Sequence, residues 1–354
     1  MNTPTTFTVA VLAGDGIGPD VIAEGVKVLR AVEKQLSGVR FELREFSVGA
    51  GEYLRSGDPL PAGALEGCRA CDAILLGAMG LPDVRWPSGV EMTPQIDLRE
   101  KLDLYCGLRP IKLYHPHDTP LKNVGPGGID FVIIRESTEG LFSARHNSAV
   151  PADAELATDT MRITRVGAER ICRRAYELAA QRRRHCTLVD KANVLPSMAY
   201  FRRIFDEVGR DFPTVQTLRV YVDAAALYLV QKPHAFDVLV TENMFGDILS
   251  DLAAGLIGGM GMAPSADLGD RHAVFQPSHG TAPDIAGKGI ANPIATILSV
   301  ALMLDWLKHP EARRGAELVR QAVAAVLANP ADRTPDLGGT RTTEQMGDLI
   351  AARL

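Results

Sequence analysis

An α/β fold is predicted by three features of the sequence. Short, strongly apolar runs recur along it: "FTVAVLA", "CDAILLGAMG", "GIDFVIIRE" and "FDVLVTEN". Runs of this kind belong in a parallel sheet covered by helices on both faces. Amphipathic, helix-like segments alternate with them, and no repeat or low-complexity tract intervenes. At 354 residues the chain exceeds what one compact core usually takes, so one large or two linked domains are expected.

The elements follow in order. "VAVLAGDGIGPDV" is a strand, a tight turn and the start of a helix. Its glycines, Gly14, Gly16 and Gly18, are followed by Pro19 where a dinucleotide fingerprint needs its third glycine, so the stretch is not that fingerprint. Proline suits the first turn of a helix. From there Ile22, Val26, Leu29, Val32 and Leu36 recur at steps of three and four, until Ser37 and Gly38 stop the helix. "VRFELREF" alternates like a half-exposed strand. "YHPHDTPLKNVGPGG" (114–128) reads as a surface connection near a domain border. "QRRRH" (181–185) closes a helix, its cations favoured by the helix dipole.

Composition excludes several functions. Hydrophobic residues are 46% and charged residues 23%, ordinary for a globular enzyme. The net charge of −5 gives no general attraction for nucleic acid or anionic membrane. No apolar stretch reaches the roughly 18 residues of a membrane span, and the N-terminus lacks the pattern of a signal peptide. The five cysteines, Cys68, Cys71, Cys106, Cys172 and Cys186, suggest reduced thiols in a cytoplasm. Cys68 and Cys71 have C-x-x-C spacing, but no second pair completes a zinc site, and a structural role near a helix end is expected.

Several residues could carry chemistry. Asp247 and Asp251 in "ENMFGDILSDLAAG" fall on one helical face, with Ile248, Leu252 and Leu256 on another. Taken alone, Asp247 would read as a helix cap and Asp251 as a solvated acid. Asp223 follows the strand-like "LRVYV". Three carboxylates would suit Mg²⁺ or Mn²⁺. Arg99, Arg109 and Arg135 could grip carboxylates bidentately, and Arg135, ending a buried strand, needs a partner. Singly, each arginine could equally be a surface ion pair. Lys191 follows the apolar "TLVD" and could act as acid or base. The glycine-rich "QPSHGTAPDIAGKGIANP" (276–293) could wrap an adenosine, with Asp284 accepting from ribose hydroxyls, or be an ordinary loop.

Taken in order, "GDGIGP", "LDLY", "LRP", "RESTEG", "DKANVL", "TENMFGDILSDLAAGLIGGMGMAPSA", "HGTAPDIAGKGIANP" and "TPDLGGT" resemble the isopropylmalate/isocitrate dehydrogenases, the metal-dependent β-decarboxylating dehydrogenases. The resemblance spans nearly the whole chain. It implies a two-domain fold with a central, mostly parallel sheet that is not a Rossmann fold. Residues 1–104 plus 258–354 would bind the cofactor. Residues 105–257 would hold substrate and metal and form a homodimer with shared active sites. Arg99, Arg109 and Arg135 match the family's substrate clamps. Asp223, Asp247 and Asp251 match its metal ligands, and Lys191 and Asp223 reach the site from the partner subunit. Lys191 would take the hydroxyl proton as hydride leaves C2. His279, Gly280, Thr281, Ala282, Asp284, Ile285 and Asn292 fall on the dinucleotide loop, and an acid beside the ribose repels a 2′-phosphate, which predicts NAD.

Two departures from the family pattern shape the expected activity. Phe142 stands at the usual catalytic tyrosine, which helps protonate the enol carbon. In the recognition helix "TPQIDLR", Gln95 replaces the leucine that isopropylmalate enzymes set against the isopropyl group. Thr93 stands where isocitrate enzymes use a hydroxyl residue, and Met92 where isopropylmalate enzymes have an acid near the nicotinamide. A buried amide facing an isopropyl group would go unsatisfied, at about 1–3 kcal/mol. The expectation is therefore an NAD-dependent oxidative decarboxylation of a malate-like 2-hydroxy dicarboxylic acid of the D-malate or tartrate type. The alternatives are a 3-isopropylmalate dehydrogenase and a non-catalytic ligand-binding dimer.

Overall fold

The opening apolar run forms β1 (Thr5–Gly14) in the computed structural model, which describes residues 4–147, 150–151 and 153–354. β1 leads into α1 (Gly18–Glu33), with Pro19 in the first turn. The buried face of α1 differs from the expected stripe: Val21 and Val28 join Ile22, Leu29 and Val32, Val26 is only half-buried, and the helix ends at Glu33, short of Leu36 and of the expected stop at Ser37 and Gly38. β2 (Val39–Glu45), α2 (Ala50–Ser56), α3 (Ala62–Arg69), β3 (Ala73–Ala78) and α4 (Pro94–Lys101) follow. β1 runs parallel to both β2 and β3, with Val9 opposite Leu43 and Val11 opposite Leu75. Cys68 and Cys71 lie at the end of α3, buried, and all five cysteines are free thiols. Burial pushes the Cys68 thiol up to about 12, which leaves it inert.

The chain then builds β4 (Cys106–Lys112), β5 (Asp130–Glu136), α5 (Arg165–Gln181), β6 (His185–Asp190), α6 (Pro196–Gly209), β7 (Gln216–Tyr221), α7 (Val222–Gln231), β8 (Val238–Thr241) and α8 (Asn243–Gly255). The order here is β4-β5-β8-β6-β7. β8 sits between β5 and β6 and is parallel to both, with Leu239 opposite Ile133 and Thr187. It is buried at every position, as its unbroken apolar run requires. The α5–α6 layer closes on Tyr176, which stacks on Phe205 with ring centroids 4.9 Å apart. β7 ends at Tyr221, so Asp223 falls in the first turn of α7, where the helix dipole favours an anion.

The last segment adds β9 (Pro264–Leu268), β10 (Ala273–Pro277), α9 (Ile294–Trp306), α10 (Pro310–Leu327) and α11 (Thr343–Ala351). β10 pairs parallel with β3 and antiparallel with β9, giving the order β2-β1-β3-β10-β9. This is not the 3-2-1-4-5-6 parallel order of a Rossmann domain. α9 is apolar around its whole circumference and almost entirely buried, the signature of a central helix. The fold is mixed α/β and mostly parallel. It divides into two compact units, one of Met1–Leu104, Lys112–Pro120 and Ala254–Leu354, the other of Tyr105–Ile111 and Leu121–Ala253. Among the described residues no helix is long and apolar enough to cross a membrane.

Candidate active site

Arg135 closes β5 and is almost fully buried, so its charge needs partners within the fold. α8 supplies them from one face. Arg135 Nε donates to Asn243 Oδ1 at 2.9 Å, and Nη1 donates to Asp247, one turn further on. Gly246 makes the approach possible: a Cβ there would lie 2.8 Å from Arg135 Cβ. Asn243 Nδ2 in turn donates to the Glu139 carbonyl at 3.0 Å, tying the "RESTEG" loop to α8. Asp247 does not cap the helix. That work falls to Glu242, whose carboxylate accepts from the N–H of Met244 and of Phe245 at 3.1 and 2.7 Å.

Asp251 lies one turn beyond Asp247. Its pKa is pushed up by desolvation first and by the Asp247 charge second, while Arg109 and Arg135 oppose the rise. Arg109 is buried on β4. Arg109, Arg135, Asp247 and Asp251 therefore form one electrostatically coupled group. The Phe142 ring covers Arg135, with its centroid 5.2 Å from the guanidinium carbon. Leu249 and Ala253 lie on the buried side of α8, whereas Ile248, expected on an apolar face, is 60% exposed, and Leu256, expected on that same face, falls just beyond the end of the helix.

Lys191 and Asp223 make a separate pair. Lys191 Nζ lies 3.0 Å from Asp223 Oδ2, and that hydrogen bond holds the Asp223 carboxyl below its usual range. Among the described residues no three acidic, histidine or cysteine side chains converge as a metal cage. The chain by itself thus brings two of the three candidate metal ligands together and leaves Asp223 with Lys191. Asp247 and Asp251 are hard oxygen donors whose mutual repulsion a divalent cation would relieve, and to that extent they fit Mg²⁺ or Mn²⁺.

In the other unit, Thr93 is the N-cap residue of α4, without a side-chain capping bond, and Gln95 and Arg99 share a face of the helix one turn apart. Gln95 is half-buried, and its amide oxygen is shielded from water with no hydrogen-bond partner. Met92 is buried. Arg99 Nε donates to Asp267 Oδ2 on β9 at 2.8 Å, and Gln276 Nε2 on β10 donates to the same oxygen at 2.6 Å. Sequence reasoning passed over Asp267, Gln276 and Asn243. The available signal was a polar residue inside an otherwise apolar strand or at the mouth of a helix.

The loop after β10 packs against the β1–α1 turn. Ile17 N–H donates to the Thr281 carbonyl at 2.8 Å, and a Cβ on Gly16 would lie 2.0 Å from that oxygen. Gly16 therefore serves close backbone approach to this loop, whereas a Cβ on Gly14 would lie 1.8 Å from the Ala78 carbonyl of β3 and one on Gly18 would lie 2.2 Å from the Ala13 carbonyl of β1. Ala282 has a φ of +38°, a strained value for a residue with a side chain. Ile285 packs against a small cluster of Ile17, Val21 and Ala291, while Asp284 and Gly280 are exposed. Asn292 is committed at both ends of its amide, accepting from Ile294 N–H and donating to Asp336, each at 3.0 Å. His279 keeps a buried Nε2 with no partner, and burial lowers its pKa. An orphaned donor or acceptor in a glycine-rich loop fits a nucleotide ligand.

The isocitrate/isopropylmalate dehydrogenase family model matches residues 8–350. A 3-isopropylmalate dehydrogenase of Moorella thermoacetica is 45% identical over 98% of this chain and 99% of its own length. Another, of Thermotoga maritima, is 44% identical over 98% of each. Among solved structures, isocitrate dehydrogenase from Methylococcus capsulatus superposes with a TM-score of 0.88 at 36% identity, covering 98% of this chain and 99% of that one. A β-decarboxylating dehydrogenase from Thermococcus kodakarensis gives 0.81 at 39% identity, over 98% and 96%. Sequence, fold and the paired arginines and aspartates agree, and the chain belongs to the isocitrate/isopropylmalate dehydrogenase family.

Proposed function

We propose that the chain is an NAD-linked, divalent-cation-dependent dehydrogenase that oxidises and decarboxylates a 2-hydroxy dicarboxylic acid, with 3-isopropylmalate as its first candidate substrate. The observation that carries the chemistry is the group of Arg109, Arg135, Asp247 and Asp251, two cations beside two carboxylates. The substrate follows from the relatives, which at 42–45% identity bear the name 3-isopropylmalate dehydrogenase. They favour that reading over the malate-type expectation drawn from Gln95.

Arg99, Arg109 and Arg135 bind the carboxylates of the substrate and fix its C2–H bond. Asp223, Asp247 and Asp251 would hold a divalent cation, which would supply Lewis acidity, and the loop from His279 to Asn292 would hold NAD, which would supply the hydride acceptor. Lys191, as the neutral amine, receives the C2 hydroxyl proton directly or by relay. The resulting β-keto acid loses CO₂. Asp223 and Lys191 come from a second copy of the chain, a reading supported by their separation from Asp247 and by the exposed apolar Leu227, Val230 and Ile248 on α7 and α8. His279, Gly280, Thr281, Ala282, Asp284, Ile285 and Asn292 form the dinucleotide loop, and the exposed Asp284 disfavours NADP. Five unbonded thiols suit a reducing cytoplasm.

One observation favours a malate-type substrate instead. The unpartnered amide oxygen of Gln95 calls for a hydrogen-bond donor, which an isopropyl group lacks. NADH formation with Mn²⁺ and a panel of 3-isopropylmalate, D-malate and tartrate decides among them. The expected order places 3-isopropylmalate first, with activity lost in EDTA and restored by Mn²⁺. Preference for D-malate or tartrate would transfer the function to the malate-type reading. No turnover of any acid would leave a ligand-binding dimer.

A further inference from the structure

Arg99 is held by a built device rather than by a surface ion pair. Its residue surface is 8% exposed, and the Asp267 side chain that receives its Nε is 1% exposed. A carboxylate buried in a strand is costly unless its bonds are made. Asp267 makes them on one oxygen, Oδ2, with Arg99 Nε at 2.8 Å and Gln276 Nε2 at 2.6 Å. The antiparallel register explains the second contact. Gln276 lies opposite Ser265, so Asp267 is its diagonal neighbour on the same face. The Gln276 backbone is fixed in its turn, because its carbonyl accepts from Ser265 Oγ at 2.9 Å and from Ser299 Oγ of α9 at 2.8 Å. Only Nε of Arg99 is engaged, and its two terminal nitrogens make no hydrogen bond with the described residues.

We propose that Asp267 and Gln276 are positioning residues that orient Arg99, so that its terminal amino groups present one fixed fork to a substrate carboxylate. This deepens the proposed function and rests on the substrate role assigned there to Arg99. An ion pair that served stability alone would tolerate a rotated guanidinium; a bidentate clamp would not.

The test is steady-state kinetics on whichever 2-hydroxy acid the panel identifies, with D-malate protection against thermal unfolding as the binding readout. Asp267→Ala should raise the substrate KM at least about tenfold, with a smaller change in kcat and no change in the KM for NAD. Asp267→Asn, which keeps the shape and an acceptor, should fall between. Asp267→Ala combined with Gln276→Glu returns a carboxylate to the same gap from the neighbouring strand and should recover most of the KM. A lower melting temperature with an unchanged substrate KM in Asp267→Ala would overturn the proposal, as would a double variant that recovers stability but not KM. If Asp267→Ala does not fold, the comparison of Asp267→Asn with wild type decides by the same KM criterion. Arg99→Ala separates the two levels of failure. Unchanged KM and unchanged D-malate protection there remove the substrate role of Arg99 itself. A raised KM there, with Asp267→Ala unaffected, removes only the positioning.

Discussion

Phe142 has no proton to give, yet its ring lies against Arg135, a proposed substrate clamp. Its surroundings thus keep the packing of an aromatic ring while lacking a donor for the enol left after CO₂ departs. General acid catalysis typically contributes about 10²–10⁴-fold, so a missing donor should make a late step slow. The wild type is expected to show a rapid burst of NADH before a slower steady state, and Phe142→Tyr is expected to raise the steady-state rate. Rapid-mixing absorbance of both proteins checks this. Absence of a burst together with an unaccelerated variant would place the slow step elsewhere. The residue scale is also where sequence reading fell short. Arg135 announced its need for a partner by ending an apolar strand, but Asn243 as that partner follows only from the fold, because the two are 108 positions apart.

At the scale of elements, the unbroken apolar runs marked β3, β5 and β8 correctly, since strands buried on both faces have no polar alternation to disguise them. α8 was legible as a helix but not in its orientation. Ile248 faces outward because the buried side of α8 is set by Leu249 and Ala253, a choice that the sequence spacing leaves open. The β1–α1 turn was read correctly as a turn, whereas its contact with the loop of Thr281 depends on tertiary packing. Gly16 has a φ of +59° and no room for a Cβ, so Gly16→Ala must either strain the backbone or push the loop away. The expected loss is at least about 1–3 kcal/mol of stability, together with a raised KM for NAD. Denaturant titration and cofactor kinetics measure both; a variant with unchanged affinity for NAD would detach that loop from the cofactor.

Across the whole molecule, carboxylates of two kinds shape the expected response to acid. The hydroxyl of Ser47 and the guanidinium of Arg55 hold Glu52 down to about 2, and Arg314 with the Ser37 N–H does the same for Glu311. Their folded-state pKa values lie below the ordinary 4.5, so the stability they contribute is full above that value and is lost as the pH falls toward about 2. Burial pushes Glu136 and Glu242 the other way. For these the folded state binds the proton more tightly, so their contribution is greatest in acid and declines as the pH rises through the raised values. Urea midpoints between about pH 6 and pH 2.5 should therefore fall less steeply in Glu52→Gln than in wild type. An identical slope in the two proteins would show that Glu52 is not among the groups that govern acid unfolding.

β3 pairs with β10, Ile74 opposite Val274, although some two hundred residues separate them and the second compact unit lies between. On the ribosome this order has a definite effect. Residues up to 104 emerge with β1, β2 and β3 but without β10, and without the α9 that later packs on β3. The intervening unit has all of its own strands once β8 has been made, and it can close while the earlier segment still waits with open strand edges. Synthesis at about 5–20 residues per second makes that wait on the order of ten seconds or more. The N-terminal segment is therefore the part of the nascent chain most in need of a chaperone, and the inserted unit is the part that matures first.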